Sequence, residues 1–446
     1  MARPVPTPSS QAGLRALKAL LRERHPLAAL RVFHTETGNV FRIRLGNFRP
    51  IILVGPQAAR FVLVDAYEHF RWRNEYDPVT ELLRHGVLVE DGTTHDTLRE
   101  IMMPPLHPKR FPGYVTTLLR RTDQVSAGWE DEAVVDMLVE MRKVTLLNLL
   151  DAIYGVDFTE PMRVLWSPIL TLIRHISPGL WMFWRGAPAP GVAEARRRVD
   201  GYLYELIRAR RAALQDGSAA PDDLLGQLIV AGLDDELIRD QLLTILIAGH
   251  DTNTALLAWS WYLLGMHPEA MRRAQQEVDE QLGDQVPDAE QLAQLRYLGW
   301  VIREALRLYP PIHLGSRVAA EDLEFDGYHI PAGHRVIYSI YLTQRDATSW
   351  PDPDVFDPER HARGTQQVPF AWLAFGGGRR NCLGAGFGQL EARAVLARLL
   401  QTFELRLVHT AVHPHMGATL EPRPGVLMRV RRRKHAQPAP VGMMVQ

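Results

Sequence analysis

The chain has one cysteine, no net charge and no long uncharged apolar run. A single cysteine among 446 residues excludes an intramolecular disulfide and is typical of a reducing compartment. Basic and acidic residues both number 51, so no overall field draws the protein to nucleic acid or to an anionic membrane. Any charge-guided partner must therefore recognise a local patch, and the expected compartment is the cytoplasm.

Long uncharged apolar runs are also missing. Residues 242–264 are numerous enough to span a membrane, but Asp251 stands at their middle within a polar run. An aspartate at mid-bilayer costs ~2.5 to 3.5 kcal/mol, so this segment predicts a buried core helix. Near the N-terminus, basic residues alternate with alanines and leucines at Arg15, Lys18, Arg22 and Arg24. That pattern predicts an amphipathic helix, not an export signal, and we expect no transmembrane anchor.

What is present is a long helical pattern with a small β part. Residues 40–45 and 51–54 predict a short hairpin, and from there to about Leu308 the pattern is overwhelmingly helical. Short β-like pieces follow over residues 314–341. Residues 384–400 then predict a helix, and further strands follow it.

The chain shows no internal repeat and no long flexible linker. Its 46% content of hydrophobic residues is enough for one large core. We therefore expect residues 1–39 to form an N-terminal extension with the first helix, and residues 40–446 to form a single domain that is mainly α with a small β part.

The one cysteine lies in a glycine-rich stretch, from Phe375 to Gly384, directly before a predicted helix. A lone cysteine is most often an inert buried residue. Glycines, however, let a backbone lie flat against a planar ligand, and a helix N-terminus favours thiolate over thiol. A phosphate-binding loop is the alternative, but its Gly-Lys-Ser/Thr ending is absent.

This stretch resembles the cysteine loop of the cytochrome P-450 family, F-x-x-G-x-R-x-C-x-G, at Phe375, Gly378, Arg380, Cys382 and Gly384. Five specified positions at ~5% each give a chance match of about one in 10,000 for such a chain. The resemblance implies the cofactor haem b (iron protoporphyrin IX), with Cys382 as the axial iron ligand, Phe375 beside the sulfur and Arg380 on a haem propionate. It also implies the family's fold, with the haem between a long oxygen-groove helix and the cysteine loop.

A second motif lies in the predicted helix that precedes the β-like pieces. Glu304 and Arg307 are three residues apart and by themselves predict a surface pair worth a few tenths of a kcal/mol. The family pairs an E-x-x-R helix with an arginine in a later irregular segment, and Arg360 stands at that place. The resemblance therefore implies a structural ion network of these three residues that supports the haem side.

Small and polar residues interrupt the long apolar helix in the run from Ala248 to Thr252. By themselves they predict a helix kink or a hydrogen-bonded buried aspartate. They resemble the family's oxygen-binding groove, A-G-x-D/E-T. The resemblance implies that Gly249 makes room for dioxygen, while Asp251 and Thr252 hold water and relay protons. The expected substrate contacts are Ile247, Ala248 and Leu314.

Further cations are expected at the haem propionates. His95 and Arg99 are four residues apart on a predicted helix, and Arg317 follows the E-x-x-R helix. Each alone predicts an ordinary solvated charge. The resemblance implies that all three contact propionates, although many family members have Trp where this chain has His95. Gly384 completes the expected cofactor-binding set.

The resemblance spans about Val40 to Arg431 and implies a haem-thiolate monooxygenase. It implies hydroxylation of a C–H bond in a lipophilic small molecule such as a terpenoid, carotenoid or retinoid, fatty acid or steroid. The aromatic loop from Leu180 to Trp184 lies where the family has a substrate-entry lid, which favours a large substrate; ordinary packing on the core is the alternative.

Electrons are expected from a separate ferredoxin-like or flavodoxin-like protein with its reductase, because too few residues follow the last predicted strands for a flavin domain. The expected docking residues are Lys109, Arg110, Arg379 and Arg393. Two alternatives stay open: a haem-thiolate isomerase or peroxide-driven enzyme, which Asp251 and Thr252 disfavour, and a non-catalytic haem protein that senses gas or carries electrons.

Overall fold

One long helix organises the fold. The computed structural model describes residues 2–46, 48–75, 77–182, 187–217, 221–363 and 368–433. The α-helices are α1 (Ser10–Glu23), α2 (Pro26–Thr37), α3 (Pro56–Arg60), α4 (Pro78–Leu83), α5 (Gly92–Met102), α6 (Phe111–Ser126), α7 (Met137–Tyr154), α8 (Thr159–Ile176), α9 (Val192–Gln215), α10 (Leu224–Val230), α11 (Asp235–Met266), α12 (Pro268–Gln281), α13 (Ala289–Gln294), α14 (Arg296–Leu308), α15 (Ile340–Thr343) and α16 (Ala385–Thr402).

The strands are short and form four sheets among the described residues. They are β1 (Arg3–Pro4), β2 (Val40–Arg42), β3 (Ile51–Leu53), β4 (Phe70–Arg71), β5 (Val134–Asp136), β6 (Leu314–Ala319), β7 (Leu323–Phe325), β8 (Tyr328–Ile330), β9 (Arg335–Ser339), β10 (Phe403–Leu407), β11 (His413–Met416), β12 (Leu420–Arg423) and β13 (Leu427–Arg432). The largest sheet has the order β2-β3-β9-β6-β4. The smaller ones are β1-β8-β7, β10-β13-β5 and β11-β12.

The long helix α11 begins and ends where the sequence signals it. The Asp234 side chain accepts a hydrogen bond from the amide of Leu237 at 2.8 Å, and Asp235 and Glu236 complement the helix dipole in the first turn. Pro268 begins the next helix. Most of α11 is buried, and it packs closely along α7, which confirms the predicted core helix. Of the helices that the structure describes, none is both long and apolar enough to cross a membrane.

The β part largely follows the sequence pattern. The predicted hairpin forms from β2 and β3, which pair antiparallel, and the last strands also form as predicted. Three details differ. Strands β4 and β5 lie inside the segment that was predicted to be helical, because their backbones pair with β6 and β13 far along the chain. Residues 340–343, at the end of the predicted β-like pieces, form the short helix α15, whose N-cap is Ser339.

Candidate active site

The cysteine loop is a tight turn that leads into α16. Its amide at Cys382 donates to the carbonyl oxygen of Phe375 at 2.9 Å, which closes the loop on itself. Gly376 and Gly378 have φ values of +70° and +64°, in the left-handed region that favours glycine. At Gly378 a side chain would also collide with the carbonyl oxygen of Leu63. The glycines therefore allow the loop to turn sharply and to pack against the preceding part of the fold.

Cys382 is exposed, although many protein atoms lie around it. The residue is exposed, yet burial among neighbouring atoms raises the pKa of its thiol. The residue is therefore accessible to a bound group. The amide of Gly384 and the charge of Arg99 lower the pKa but do not outweigh burial. The amide at the helix N-terminus therefore acts toward thiolate, as the sequence predicts, and the positive charge of a bound metal would act in the same direction.

The buried Arg317 is a second feature that points to a bound group. Its side chain is 6% exposed and donates to the carbonyl oxygen of the adjacent Ser316 at 2.7 Å. It packs over the rings of Trp72 and Tyr338, and no described residue forms an ion pair with it. A buried arginine without a carboxylate partner is costly to desolvate. A carboxylate of a bound group would offset that cost, so the site fits a haem propionate.

The other predicted propionate contacts lie beside the cysteine loop with partners from the protein. Arg99 donates to the carbonyl oxygen and the side-chain oxygen of Asn381, at 2.7 Å and 2.5 Å. Arg380 forms an ion pair with Asp91 at 2.7 Å. His95 is buried, and its Nδ1 lies 2.8 Å from an oxygen of Asp96. The structure thus brings these side chains to the loop, and their contact with propionates stays a prediction.

On α11, the two residues of the predicted proton relay have different surroundings. The Thr252 hydroxyl donates to the carbonyl oxygen of Ala248 at 2.7 Å, one turn earlier. The Asp251 carboxylate is 2% exposed and accepts hydrogen bonds from Arg142 at 3.2 Å and from Thr419 at 2.7 Å. Asp251 is therefore a fully partnered buried acid that connects α11 to α7 and to the β11-β12 hairpin.

Gly249 lies where α11 and α7 approach each other. A Cβ atom at this position would be 3.0 Å from Cδ1 of Leu149. The contact explains why a small residue is needed here for helix packing. The expected role of Gly249 toward dioxygen is a separate matter and stays a prediction.

The three residues of the E-x-x-R motif meet in one buried cluster. Arg307 donates to both oxygens of Glu304, at 2.8 Å and 2.9 Å, and Arg360 donates to the same carboxylate at 2.9 Å. His361 adds a contact at 2.9 Å that the sequence did not reveal. Although burial acts in the opposite direction, the hydrogen bonds from His361 and Arg307 and the charge of Arg360 lower the pKa of Glu304 to about 2.

Comparison with known proteins identifies the family. The family model described as cytochrome P-450 matches residues 8–432. The chain belongs to the cytochrome P-450 family. It is a cytochrome P-450 monooxygenase whose cofactor is haem b, which confirms the predicted fold, enzyme class and cofactor.

Similar proteins cover nearly the whole of this cytochrome P-450. A family member from Mycobacterium tuberculosis is 30% identical over 93% of this chain and 100% of its own length. Cyclooctatin synthase from Streptomyces melanosporofaciens is 30% identical over 91% and 90%, and cyclooctat-9-en-7-ol 5-monooxygenase from the same organism is 30% identical over 83% of each chain. The solved structure of retinoic acid bound cyanobacterial CYP120A1 has a TM-score of 0.82 and 26% identity, over 93% of this chain and 96% of that one.

The predicted substrate contacts of this P-450 lie on two elements. Ile247 is buried and Ala248 half-buried on α11, while the half-buried Leu314 begins β6. Of the aromatic loop, the structure describes a single helical turn ending at Met182; Phe183 and Trp184 lie outside the described residues.

Sequence reasoning missed a buried acid on α16. Glu391 accepts hydrogen bonds from the amide groups of Asn148 at 2.9 Å and Asn253 at 2.5 Å. Burial raises the pKa of Glu391 to about 8, although both amides act to lower it. A signal was present, because Asn148 stands inside an apolar run of α7 and a buried amide needs polar partners.

Proposed function

We propose that this cytochrome P-450 hydroxylates a lipophilic small molecule of the terpenoid class, with electrons from a separate protein. The observation that carries the substrate class is the similarity to two relatives along most of the chain. One of them is named as a 5-monooxygenase of cyclooctat-9-en-7-ol, which is a largely hydrocarbon ring alcohol. A retinoid is the second candidate, because the similar solved structure holds retinoic acid.

The proposed cofactor contacts follow from the two features that fit haem. The exposed Cys382, directly before α16, would hold the iron, and the buried Arg317 would bind a propionate. Phe375 and Gly384 would position the sulfur, with His95, Arg99 and Arg380 beside the remaining propionate oxygens. When bound, haem b supplies the activation of dioxygen.

We propose that Asp251 and Thr252 on α11 deliver protons to the site. The Thr252 hydroxyl can exchange its bond to the Ala248 carbonyl oxygen for one to a water molecule, and Asp251 next to it can pass a proton on. Gly249 is proposed to leave room for dioxygen at the same turn. We propose a structural role for Glu304, Arg307 and Arg360.

The side chains of Ile247, Ala248 and Leu314 are proposed to hold the substrate. They offer apolar surface without a charge, which favours a hydrocarbon and lets shape decide which carbon reacts. We further propose that residues 40–446 act as one haem domain after an N-terminal extension of residues 1–39, and that the enzyme works in the cytoplasm.

The electron donor is proposed to be a ferredoxin-like or flavodoxin-like protein with an acidic surface. Arg379 is 65% exposed, and its nearest carboxylates, on Glu68 and Asp96, are 3.9 and 4.0 Å away. Lys109 is also exposed. Arg110 already pairs with Asp222, and the half-buried Arg393 has a buried Nε atom. We therefore restrict the proposed docking patch to Arg379 and Lys109.

A binding screen with product analysis tests the substrate class. Cyclic terpenoid alcohols, retinoids, fatty acids and steroids are titrated into the haem-loaded enzyme, and the absorbance shift caused by an organic ligand near the iron is followed. We expect terpenoids to give the tightest shift and a hydroxylated product with a surrogate ferredoxin and reductase. Ala248→Phe should weaken the shift but leave the spectrum of the carbon monoxide complex unchanged. Tight binding and turnover of fatty acids or steroids alone would contradict the substrate class.

A further inference from the structure

The N-terminal helix α1 is packed with its small residues inward and its large apolar residues outward. Ala12 and Ala16 are buried against the rest of the protein. Leu14, Leu17 and Leu21 are 65%, 51% and 70% exposed. With spacings of three and four residues, these leucines form one stripe on the outer face of the helix. Among the described helices, no other carries more than one large hydrophobic residue with such exposure.

The rotation of α1 is fixed, so the leucines cannot turn inward. The Ser9 side chain caps the helix by accepting a hydrogen bond from the amide of Ala12 at 3.1 Å. The backbone amide of Ser9 donates to Glu36 of α2 at 2.9 Å, and Arg15 donates to the other oxygen of the same carboxylate at 2.5 Å. These contacts and the buried alanines hold the stripe toward solvent.

Basic side chains flank the stripe. At 100° per residue, Lys18 lies about 40° from Leu14 around the helix and Arg22 about 80°, both on the same side of the stripe, and Arg24 follows at the end of the helix. Lys18 forms no ion pair with a described residue. Arg22 is 79% exposed and pairs only with the neighbouring Glu23, in the kind of exposed pair that contributes little. The face is therefore apolar along its centre and cationic at its edge.

We propose that this face of α1 lies in the surface of a lipid bilayer that contains anionic lipids. A helix with an exposed leucine stripe and a basic edge matches the pattern of helices that lie in a membrane interface. A second copy of the chain would fit less well, because a twofold contact through this face would bring the same basic side chains together. The whole chain has no net charge, so the attraction arises from this local patch. The proposal does not depend on the substrate.

Vesicle co-sedimentation of the haem-loaded enzyme tests the proposal. Vesicles of phosphatidylcholine alone are compared with vesicles that also contain phosphatidylglycerol. We expect binding to the anionic vesicles, and at least a tenfold loss of partitioning in Leu14→Ser/Leu21→Ser, because burial of a leucine is worth more than 1.4 kcal/mol. Lys18→Glu should weaken binding about fivefold or more, and added salt should weaken it in the wild type.

A matched control uses two exposed valines elsewhere. Val164→Ser/Val230→Ser removes side chains that are 57% and 66% exposed on α8 and α10, and it should bind vesicles like the wild type. The haem spectrum of every variant reports on folding and on the site at Cys382. Wild-type binding retained in the leucine variant, or no binding to anionic vesicles, would overturn the proposal. So would a wild-type dimer that dissociates in Leu14→Ser/Leu21→Ser, since a second copy would then cover the stripe.

Discussion

Arg142 on α7 reaches the Asp251 carboxylate on α11 at 3.2 Å, and the same guanidinium group contacts Glu421 on β12. Two buried carboxylates thus share one buried arginine. Burial raises the pKa of Glu421, and the negative charge of Asp251 acts in the same direction. We therefore expect Glu421 to take up a proton at a higher pH than an ordinary glutamate does.

Replacement of the shared arginine should be far more damaging than neutralisation of Glu421. Arg142→Leu leaves Asp251 buried without a cation and leaves Glu421 with Arg423 alone, so we expect a loss of ~3–5 kcal/mol in the free energy of unfolding. Glu421→Gln should cost about 1 kcal/mol or less, because Arg142 then serves Asp251 alone. Urea unfolding of the haem-loaded variants measures both. Arg431→Leu, at an exposed ion pair, is the control, and an equal loss there would contradict the account.

The thiolate assignment is tested at Cys382. In Cys382→Ala no side chain in the cysteine loop can donate comparable charge to the iron, so the reduced, carbon monoxide-bound enzyme should lose the thiolate-type spectrum. Circular dichroism checks that the variant is folded. A folded variant that keeps the wild-type spectrum would show that another residue holds the iron.

Replacement of Thr252 on α11 should uncouple oxygen consumption from substrate oxidation, and replacement of Asp251 should slow turnover. Thr252→Ala is expected to bind haem and substrate normally but to divert reducing equivalents to hydrogen peroxide, because it loses the hydroxyl that can hold water. Asp251→Asn should slow turnover by limiting proton supply. Thr254→Ala is the matched control, since its hydroxyl also bonds a carbonyl oxygen one turn earlier, at His250, 2.9 Å away. Peroxide and product yields per electron should stay normal in that control.

Whether an interaction could be predicted from the sequence depended on how far apart its residues lie along the chain. The cysteine loop and the pairing of Glu304 with Arg307 lie within short stretches of sequence, so the motifs of the family could be matched to them. Arg142 and Asp251 are 109 residues apart, and Thr419 lies 168 residues beyond Asp251. No local pattern encodes which arginine a buried aspartate meets, because helix packing decides it.

Helix α1 shows a second limit. Its periodicity correctly predicted an amphipathic helix, but periodicity does not tell which face is buried. In the structure Ala12 and Ala16 pack inward, and Ser9 and Arg15 contact Glu36 of α2 in that rotation. Likewise, the sequence placed Arg393 on the helix after the cysteine loop, which made it a candidate docking residue. It did not show that this side chain is half-buried on α16.

Electron transfer should depend on the docking patch at Arg379 and Lys109. If an acidic donor binds there, Arg379→Glu/Lys109→Glu should lower the rate of first-electron transfer at low salt and flatten its dependence on ionic strength. Stopped-flow reduction by a ferredoxin measures this. Arg163→Glu, at an exposed pair on α8, is the charge-matched control for a single reversal. Identical rates and salt slopes in the wild type and the double variant would remove the docking patch.

Glu391 should make stability depend on pH. Its pKa rises from 4.5 to about 8 in the folded protein, with burial as the main cause. Below pH 4.5 the carboxyl is protonated in both the folded and the unfolded protein, so its favourable contribution to stability is complete there. Between the two values the unfolded state loses the proton that the folded state keeps, and stability falls by ~1.4 kcal/mol per pH unit until the folded group ionises.

Glu391→Gln keeps the shape of the neutral side chain and removes the titration. Relative to the wild type, the variant should therefore gain stability steadily from about pH 5 to about pH 8. The difference in the free energy of unfolding between the two proteins is the measurement, because other titrating groups cancel in it. Glu404→Gln, on the half-exposed side chain of β10, should show a nearly constant difference. A constant difference for Glu391→Gln as well would mean that the carboxyl between Asn148 and Asn253 is ionised in the folded enzyme at neutral pH.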